Sequence, residues 1–233
     1  SRFDSVSGLL LAVECATAGA SVALLREGVL VGEKSAPDGR HHAETLLGLV
    51  DEVLTGGEVG LAAVEAFAVS VGPGAFTSLR VGIASVKGLA FGRSTPVVPI
   101  STLAALALEV APERAAGRPV AALLDARREE VYAALFGGDA ESFPEGVYPV
   151  EDIAARLPLD CVLVGSGADA HAAILGGSGK REILPGCGPR ARSVGALAVE
   201  ALTRGEGVSA SDLQPRYLRR PDAEVKRGAG RSA

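Results

Sequence analysis

The residues best placed to do chemistry begin with Gly72-Pro73-Gly74. Ahead of them, Ala66 to Val71 has the length and β-branched content of a buried strand. Behind them, Leu79, Ile83, Val86 and Ala90 recur at helical spacing over Phe76 to Gly92. The turn locks one φ at Pro73 between two glycines free to take φ > 0. Thr77 and Ser78 stand close enough to the helix start to satisfy its free N–H groups. A strand, a glycine turn and a helix N-terminus can together cradle an anion. The same residues equally describe a plain strand-to-helix connection, since short Gly-Pro turns are common punctuation.

Other chemistries are narrower. Glu14 and Asp125 each close an apolar run and are the best buried-carboxylate candidates, with structural hydrogen bonding at a strand end as the expected role. A metalloprotease needs two His on one helical face, but adjacent His41 and His42 point ~100° apart on a helix. His171 is remote and single. A two-metal nuclease needs carboxylates clustered at strand ends, and the strand Ala66 to Val71 offers none. Ser166, Asp169 and His171 crowd into one helical turn, which cannot give the convergent geometry of a triad. Cys15, Cys161 and Cys187 are odd in number and lack the paired spacing of a zinc site, a pattern that suits reduced thiols. No metal, cofactor or catalytic residue is expected.

These residues need elements to position them. Gly8 to Glu14, Ala20 to Arg26 and Val29 to Lys34 read as three strands joined by hairpin-length turns. A helix follows over His42 to Leu54, then the central strand, turn and helix, a strand at Val97 to Ile100, and a helix from Ser101 to about Val110. Pro112 to Pro119 reads as a break. The second half restarts with Val120 to Asp125 and Val131 to Phe136, a strand near Val147, a helix over Val150 to Leu157, a buried strand at Cys161 to Gly165, the turn Gly165-Ser166-Gly167 with a helix through His171 to Leu175, and a last helix over Ser193 to Arg204. The repeated order predicts an α/β chain of two similar lobes, each a mixed sheet flanked by helices. Their bounds are set at 1–110 and 111–220, with a basic flexible tail at 221–233.

With 48% hydrophobic and 22% charged residues, the chain has the composition of a globular protein rather than a disordered one. Its net charge of −5 argues against a broad nucleic-acid footprint on the body of the protein. No apolar run reaches 18 residues, and no charged stretch followed by a long apolar one opens the chain, so a cytoplasmic rather than membrane or secreted protein is expected. Two helix faces stand out. The apolar positions of His42 to Leu54 cover an arc of ~160°, wider than a surface helix needs for its own core. On the next helix Ser78, Gly82, Ser85 and Gly92 fall on one side, where small residues let another backbone approach closely.

Several stretches together resemble one family. Leu11-Ala12-Val13-Glu14-Cys15-Ala16-Thr17 with Ala20-Ser21-Val22-Ala23-Leu24, Arg40-His41-His42-Ala43-Glu44-Thr45-Leu46-Leu47 and Leu124-Asp125-Ala126-Arg127-Arg128-Glu129-Glu130-Val131-Tyr132 are similar to the TsaB (formerly YeaZ) family of bacterial tRNA threonylcarbamoyladenosine biosynthesis subunits. So is Pro215-Arg216-Tyr217-Leu218-Arg219. The most specific match is Gly72 to Gly82, which departs in having Ala75 and Ser78 where Ser and Gly are usual. The resemblance implies the two-lobed, RNase H-like fold of the actin, Hsp70 and sugar-kinase superfamily. It also implies membership of the complex that puts threonylcarbamoyl on N6 of adenosine 37 in tRNAs reading ANN codons. In that family the catalytic subunit is a TsaD paralogue, and a TsaE ATPase joins the pair, so tRNA is met through the complex.

Carried over, the contact with the paralogue comprises His42, Leu46, Leu47, Val50 and Leu54 with Phe76, Ser78, Leu79, Gly82, Ile83, Ser85, Val86 and Leu89. A homodimer through the same helices is expected when the paralogue is absent. Kinase-like relatives bind phosphates on two Asp-x-Gly turns. Their equivalents here, Glu14-Cys15-Ala16-Thr17 and Asp125-Ala126-Arg127, have Ala where Gly lets a backbone N–H approach the phosphate. Glu14, Thr17, Gly72, Gly74, Asp125, Gly165 and Gly167 remain the candidate nucleotide contacts. The expectation is a pseudo-enzyme subunit; the alternative is a stand-alone phosphotransferase or hydrolase of the same fold, the old glycoprotease-like label.

Overall fold

A computed structural model describes residues 8–36, 42–137, 143–177 and 181–219. Strands β1 (Leu9–Glu14), β2 (Ala20–Arg26), β3 (Val29–Ala36), β4 (Val64–Gly72) and β5 (Val97–Ser101) form one sheet in the order β3-β2-β1-β4-β5. Within it β1, β2 and β3 pair antiparallel as a meander, while β4 and β5 join parallel to β1. Strands β6 (Val120–Asp125), β7 (Glu130–Phe136), β8 (Gly146–Pro149), β9 (Val162–Val164) and β10 (Glu182–Leu184) repeat the plan as β10-β9-β6-β7-β8. There too a three-stranded meander is extended by two parallel strands. The fold is the expected mixed α/β arrangement of two similar sheets flanked by helices. Of these strands, β10 alone has no counterpart in the sequence pattern.

Side-chain alternation along β1 sets the layers. Leu9, Leu11 and Val13 point to one face and Leu10 and Ala12 to the other, the period of two that a strand imposes. The first face packs under α1 (His42–Gly56) and α2 (Phe76–Leu89), through Leu46, Val50, Val53, Ile83 and Val86. The second face of this sheet is lined by Ala12, Ala23, Ala66 and Ala68, small enough to seat a helix closely. That helix is α8 (Ala191–Thr203), contributing Ala191, Val194, Ala198 and Leu202.

The lobe bounds at 110 and 111 therefore need correction. By sequence α8 belongs to the second half, yet it packs on the alanine face of the first sheet. Conversely α3 (Thr102–Leu108) lays Leu103 and Leu106 on Val120, Ala122 and Leu124 of the second sheet. The two helices touch, so each half lends a helix to the other and both lie between the sheets. The far side of the second sheet is covered by α5 (Val150–Arg156), α6 (Ser166–Ala170) and α7 (Ala172–Leu175). The linker 112–119 holds a single turn, α4 (Pro112–Ala115). The predicted tail 221–233 lies outside the described residues. Among the described residues no helix is long and apolar enough to cross a membrane.

Candidate functional site

β1 and β4 run parallel and deliver Glu14 and Ser70 to adjacent strand ends. The Ser70 hydroxyl donates to Glu14 Oε2, and the Ala16 N–H donates to Oε1 at 2.7 Å. Burial pushes the Glu14 carboxyl up to about 7, against the opposing pull of the Ser70 and Ala16 hydrogen bonds. Next to it, the buried Cys15 thiol donates to the Ser78 carbonyl at 3.1 Å. Burial, aided by the Glu14 charge, pushes this thiol up to about 12, far from a nucleophile's range.

The glycine turn serves close contacts as well as flexibility. Of its two glycines only Gly72 takes a positive φ, +129°, and a side chain there would collide with the Arg216 carbonyl. Gly74 lacks a positive φ, but a Cβ on it would collide with the Ala16 carbonyl. Helix α2 begins at an Ala75 N-cap with no side-chain hydrogen bond, so neither Thr77 nor Ser78 caps it as expected.

Between the sheets lies a cleft of about 660 Å³. Its first wall is the β1–β2 turn (Ala16, Thr17, Ala18 and Gly19) with Gly74, Ala75 and Ser78. Its second is Leu124 to Arg127, Tyr132, Ser166, Asp169 and the loop Gly186 to Pro189. Of the candidate nucleotide contacts, Thr17, Gly74 and Asp125 line the cleft, while Glu14, Gly72, Gly165 and Gly167 are not among its lining residues. Gly165 and Gly167 instead let α6 pack against the backbone of Leu123 and Leu124. Asp169, Tyr132 and the Gly186-Cys187-Gly188-Pro189 loop were missed as site residues. That glycine-proline loop was a legible turn signal, but the three-residue β10 before it was too short to read.

The two turns that would hold phosphates are closed on themselves. At Ala16 the N–H goes to Glu14 and the carbonyl accepts the Ala75 N–H at 2.8 Å. At Ala126 the N–H donates to the Glu130 carbonyl at 3.0 Å and the carbonyl accepts from Arg219 Nη1 at 2.6 Å. Asp125 is spent locally too: its Oδ1 accepts the Arg127 N–H at 2.8 Å, and its own N–H donates to Ser166 Oγ. Arg127, Arg128 and Glu129 all take positive φ, 57–64°, in the tight β6–β7 connection. Ser166 and Asp169 bond to Asp125 and Gly186 respectively and form no triad with His171.

The C-terminal segment crosses the mouth between lobes. The Arg216 N–H donates to the Val71 carbonyl at 2.7 Å, and its guanidinium pairs with Glu145, which also accepts from Ser101 Oγ. Tyr217 stacks on Phe76 with centroids 5.1 Å apart and accepts from Arg80 Nε at 3.0 Å. Arg80 in turn lies 3.8 Å over the Phe76 ring, and Arg219 pairs with Glu130.

Of the expected partner contacts, Leu46, Val50, Leu54, Leu79, Ile83 and Val86 are core of their own lobe, each at most 8% exposed. Gly82 faces inward as well, since a Cβ there would meet Cys15 Sγ at 2.5 Å. Of the small-residue face, Gly82 thus meets its own sheet, while Gly92 lies beyond the end of α2 with open space around it. Phe76 is engaged by the C-terminal segment, and Ser78 by the cleft. The exposed apolar and small residues described on the two adjacent helices are Leu47, 54% accessible, Gly48, Gly56, Phe76, Ala84 and Gly88, with Ser85 and Leu89 half-buried. Arg40 and His41 lie outside the described residues, and only the backbone of His42 is described.

A family model described as TsaD, tRNA N6-adenosine threonylcarbamoyltransferase, matches residues 34–226. The chain is 31% identical to the tRNA threonylcarbamoyladenosine biosynthesis protein TsaB of Escherichia coli over 223 residues, 90% of this chain and 94% of that one. It is 42% identical to the TsaB of Haemophilus influenzae over 123 residues, about half of each chain (53% and 51%). Among solved structures, YeaZ from Pseudomonas aeruginosa superposes with a TM-score of 0.80 at 35% identity, covering 91% of this chain and 100% of that one.

Proposed function

The chain belongs to the TsaB (YeaZ) family of tRNA threonylcarbamoyladenosine biosynthesis proteins, and from that premise we propose that it is a non-catalytic partner subunit. In this reading it docks a TsaD-like catalytic paralogue on the outer face of α1 and α2. With a TsaE-like ATPase and tRNA held through the complex, the assembly transfers threonylcarbamoyl to N6 of adenosine 37 in the cytoplasm. The observation that carries the reading is the closure of both phosphate turns: the peptide groups of Ala16 and Ala126 are consumed by the protein itself. A bare peptide N–H is what a polyphosphate needs there. The match to the TsaD model supports a paralogous mate, because two similar N-terminal lobes can pair face to face about a pseudo-two-fold axis. Without that mate, a second copy of this chain takes the same face.

Calorimetry and gel filtration with the purified paralogue test this. Association at micromolar concentration or tighter is expected, and Leu47→Asp should weaken it at least tenfold, as loss of an interface anchor does. Because Leu47 is exposed, the variant's thermal midpoint should stay within about 2 °C of the unmodified chain. No association of the unmodified chain would sink the proposal, as would ATP turnover by the chain alone with a Kd below about 10 μM.

A further inference from the structure

We infer that residues 213–219 form a releasable clasp: fastened, it fixes the angle between the lobes and holds the β6–β7 turn in a strained form, and unfastened it frees both. The inference goes beyond the partner-subunit reading and does not rest on it, since the chain alone carries every group named.

The clasp starts from a fixed post. Leu213 is 1% exposed and belongs to the core of the first lobe, and just before it the Ser211 carbonyl accepts from Lys87 Nζ of α2 at 3.3 Å. From there the segment runs back along α2, because Tyr217 meets Arg80 and Phe76 towards the start of that helix. Its main chain lies on the end of β4: the Arg216 N–H reaches the Val71 carbonyl, and the Arg216 carbonyl sits where a side chain on Gly72 would. Its charged side chains reach the other way. Arg216 pairs with Glu145 beside β8, and Arg219 takes hold of the Ala126 carbonyl and the Glu130 carboxylate. Within four residues the segment grips both lobes.

The strained turn supplies an independent observation. Arg127, Arg128 and Glu129 are three successive residues at left-handed φ, all of them carrying a Cβ. Each such residue costs stability, and the conformation persists only where its surroundings hold it. Arg219 grips the two flanks of this turn, Ala126 and Glu130, and the Val150 N–H holds the Glu129 carbonyl at 3.0 Å. Strain in the turn therefore works against Arg219 as a spring works against a catch.

The fastenings are of a kind that opens. The side chain of Arg216 is 52% exposed and that of Arg219 25%, and partly exposed ion pairs contribute little and are screened by salt. Few contacts hold residues 216–219, whereas Leu213 is seated in a core. The segment can thus let go without unfolding either lobe, as local opening does, and the two states are populated according to what favours each.

Amide hydrogen exchange followed by NMR on the full chain tests the clasp. Arg219→Ala removes contacts to the second lobe only, yet exchange should rise at least about tenfold at the Arg216 amide on the first lobe as well as at Ala126 and Glu130. Amides of β1 and β9 should stay within about twofold, which reports an intact fold. Arg219→Lys keeps the charge without the two-pronged grip and should give a smaller rise at the same amides. Arg204→Ala, which breaks an exposed pair with Glu206 outside the clasp, should leave all of them unchanged. The angle between lobes is read by spin labels at Ser94→Cys and Ala155→Cys, both exposed, diluted with unlabelled chain in a Cys187→Ser background that leaves only buried thiols. One narrow distance is expected with the clasp intact, and a distribution broadened by roughly 5 Å or more in Arg216→Ala/Arg219→Ala. Faster exchange confined to the residues beside position 219, or an unchanged distance distribution in the double variant, overturns the proposal.

Discussion

Glu14 is the residue on which the first turn hangs, and its environment makes a signed prediction. Its carboxyl is raised to about 7 in the fold against 4.5 as a free group, so the folded chain holds this proton more tightly than the unfolded chain does. Stability from this group is therefore complete below about pH 4.5 and is lost as pH rises towards 7. Glu14→Gln, which keeps the shape and removes the titration, should show no such loss. Urea unfolding of both proteins between about pH 4.5 and 7.5 should find the wild type falling relative to Glu14→Gln by on the order of 3 kcal/mol. A pH-independent difference would show that the carboxyl is not buried in this way. In the sequence Glu14 and Asp125 were legible as strand-end carboxylates because each closes an apolar run. The Ser70 contact was not, since it depends on β1 and β4 being parallel neighbours across 56 residues.

At the scale of elements, strands and helices were readable because period two and period 3.6 are local properties. The α2 cap defeats a local reading: Thr77 and Ser78 have capping chemistry, but the chain enters the helix from Ala75, which the tight Gly74–Ala16 approach dictates. The broad apolar arc of α1 was legible, yet sequence alone could not divide it between sheet and partner. Among the described residues the core of the lobe takes Leu46, Leu49, Val50, Val53 and Leu54 and leaves Leu47. A helix between two sheets has little room to adjust. Ala198→Leu on α8 should therefore cost about 1–3 kcal/mol by overpacking against the alanines of the first sheet, read as a fall in the denaturation midpoint with an unchanged m-value. The same change at Ala196, an exposed position of that helix, should move stability by no more than about 0.5 kcal/mol. Equal costs at the two positions would mean that α8 is not seated on the sheet as described.

At the scale of the molecule, the repeated strand order was visible in the sequence, but the exchange of α3 and α8 was not. Nothing in the composition of a helix names the sheet it will cover. Each sheet borrows a face from the other half, and Arg216 and Arg219 tie the C-terminal segment to both. Calorimetry should accordingly show one cooperative transition, with calorimetric and van't Hoff enthalpies equal. Two resolved transitions would mean that the halves fold separately. The borrowed helix also orders events at the ribosome. The last strand of the first sheet ends at Ser101, but the helix that seals its alanine side begins only at Ala191. At ordinary translation speed, on the order of ten seconds pass with that surface wet. The nascent first half must wait, held open or chaperoned, until a helix made about ninety residues later arrives to cover it.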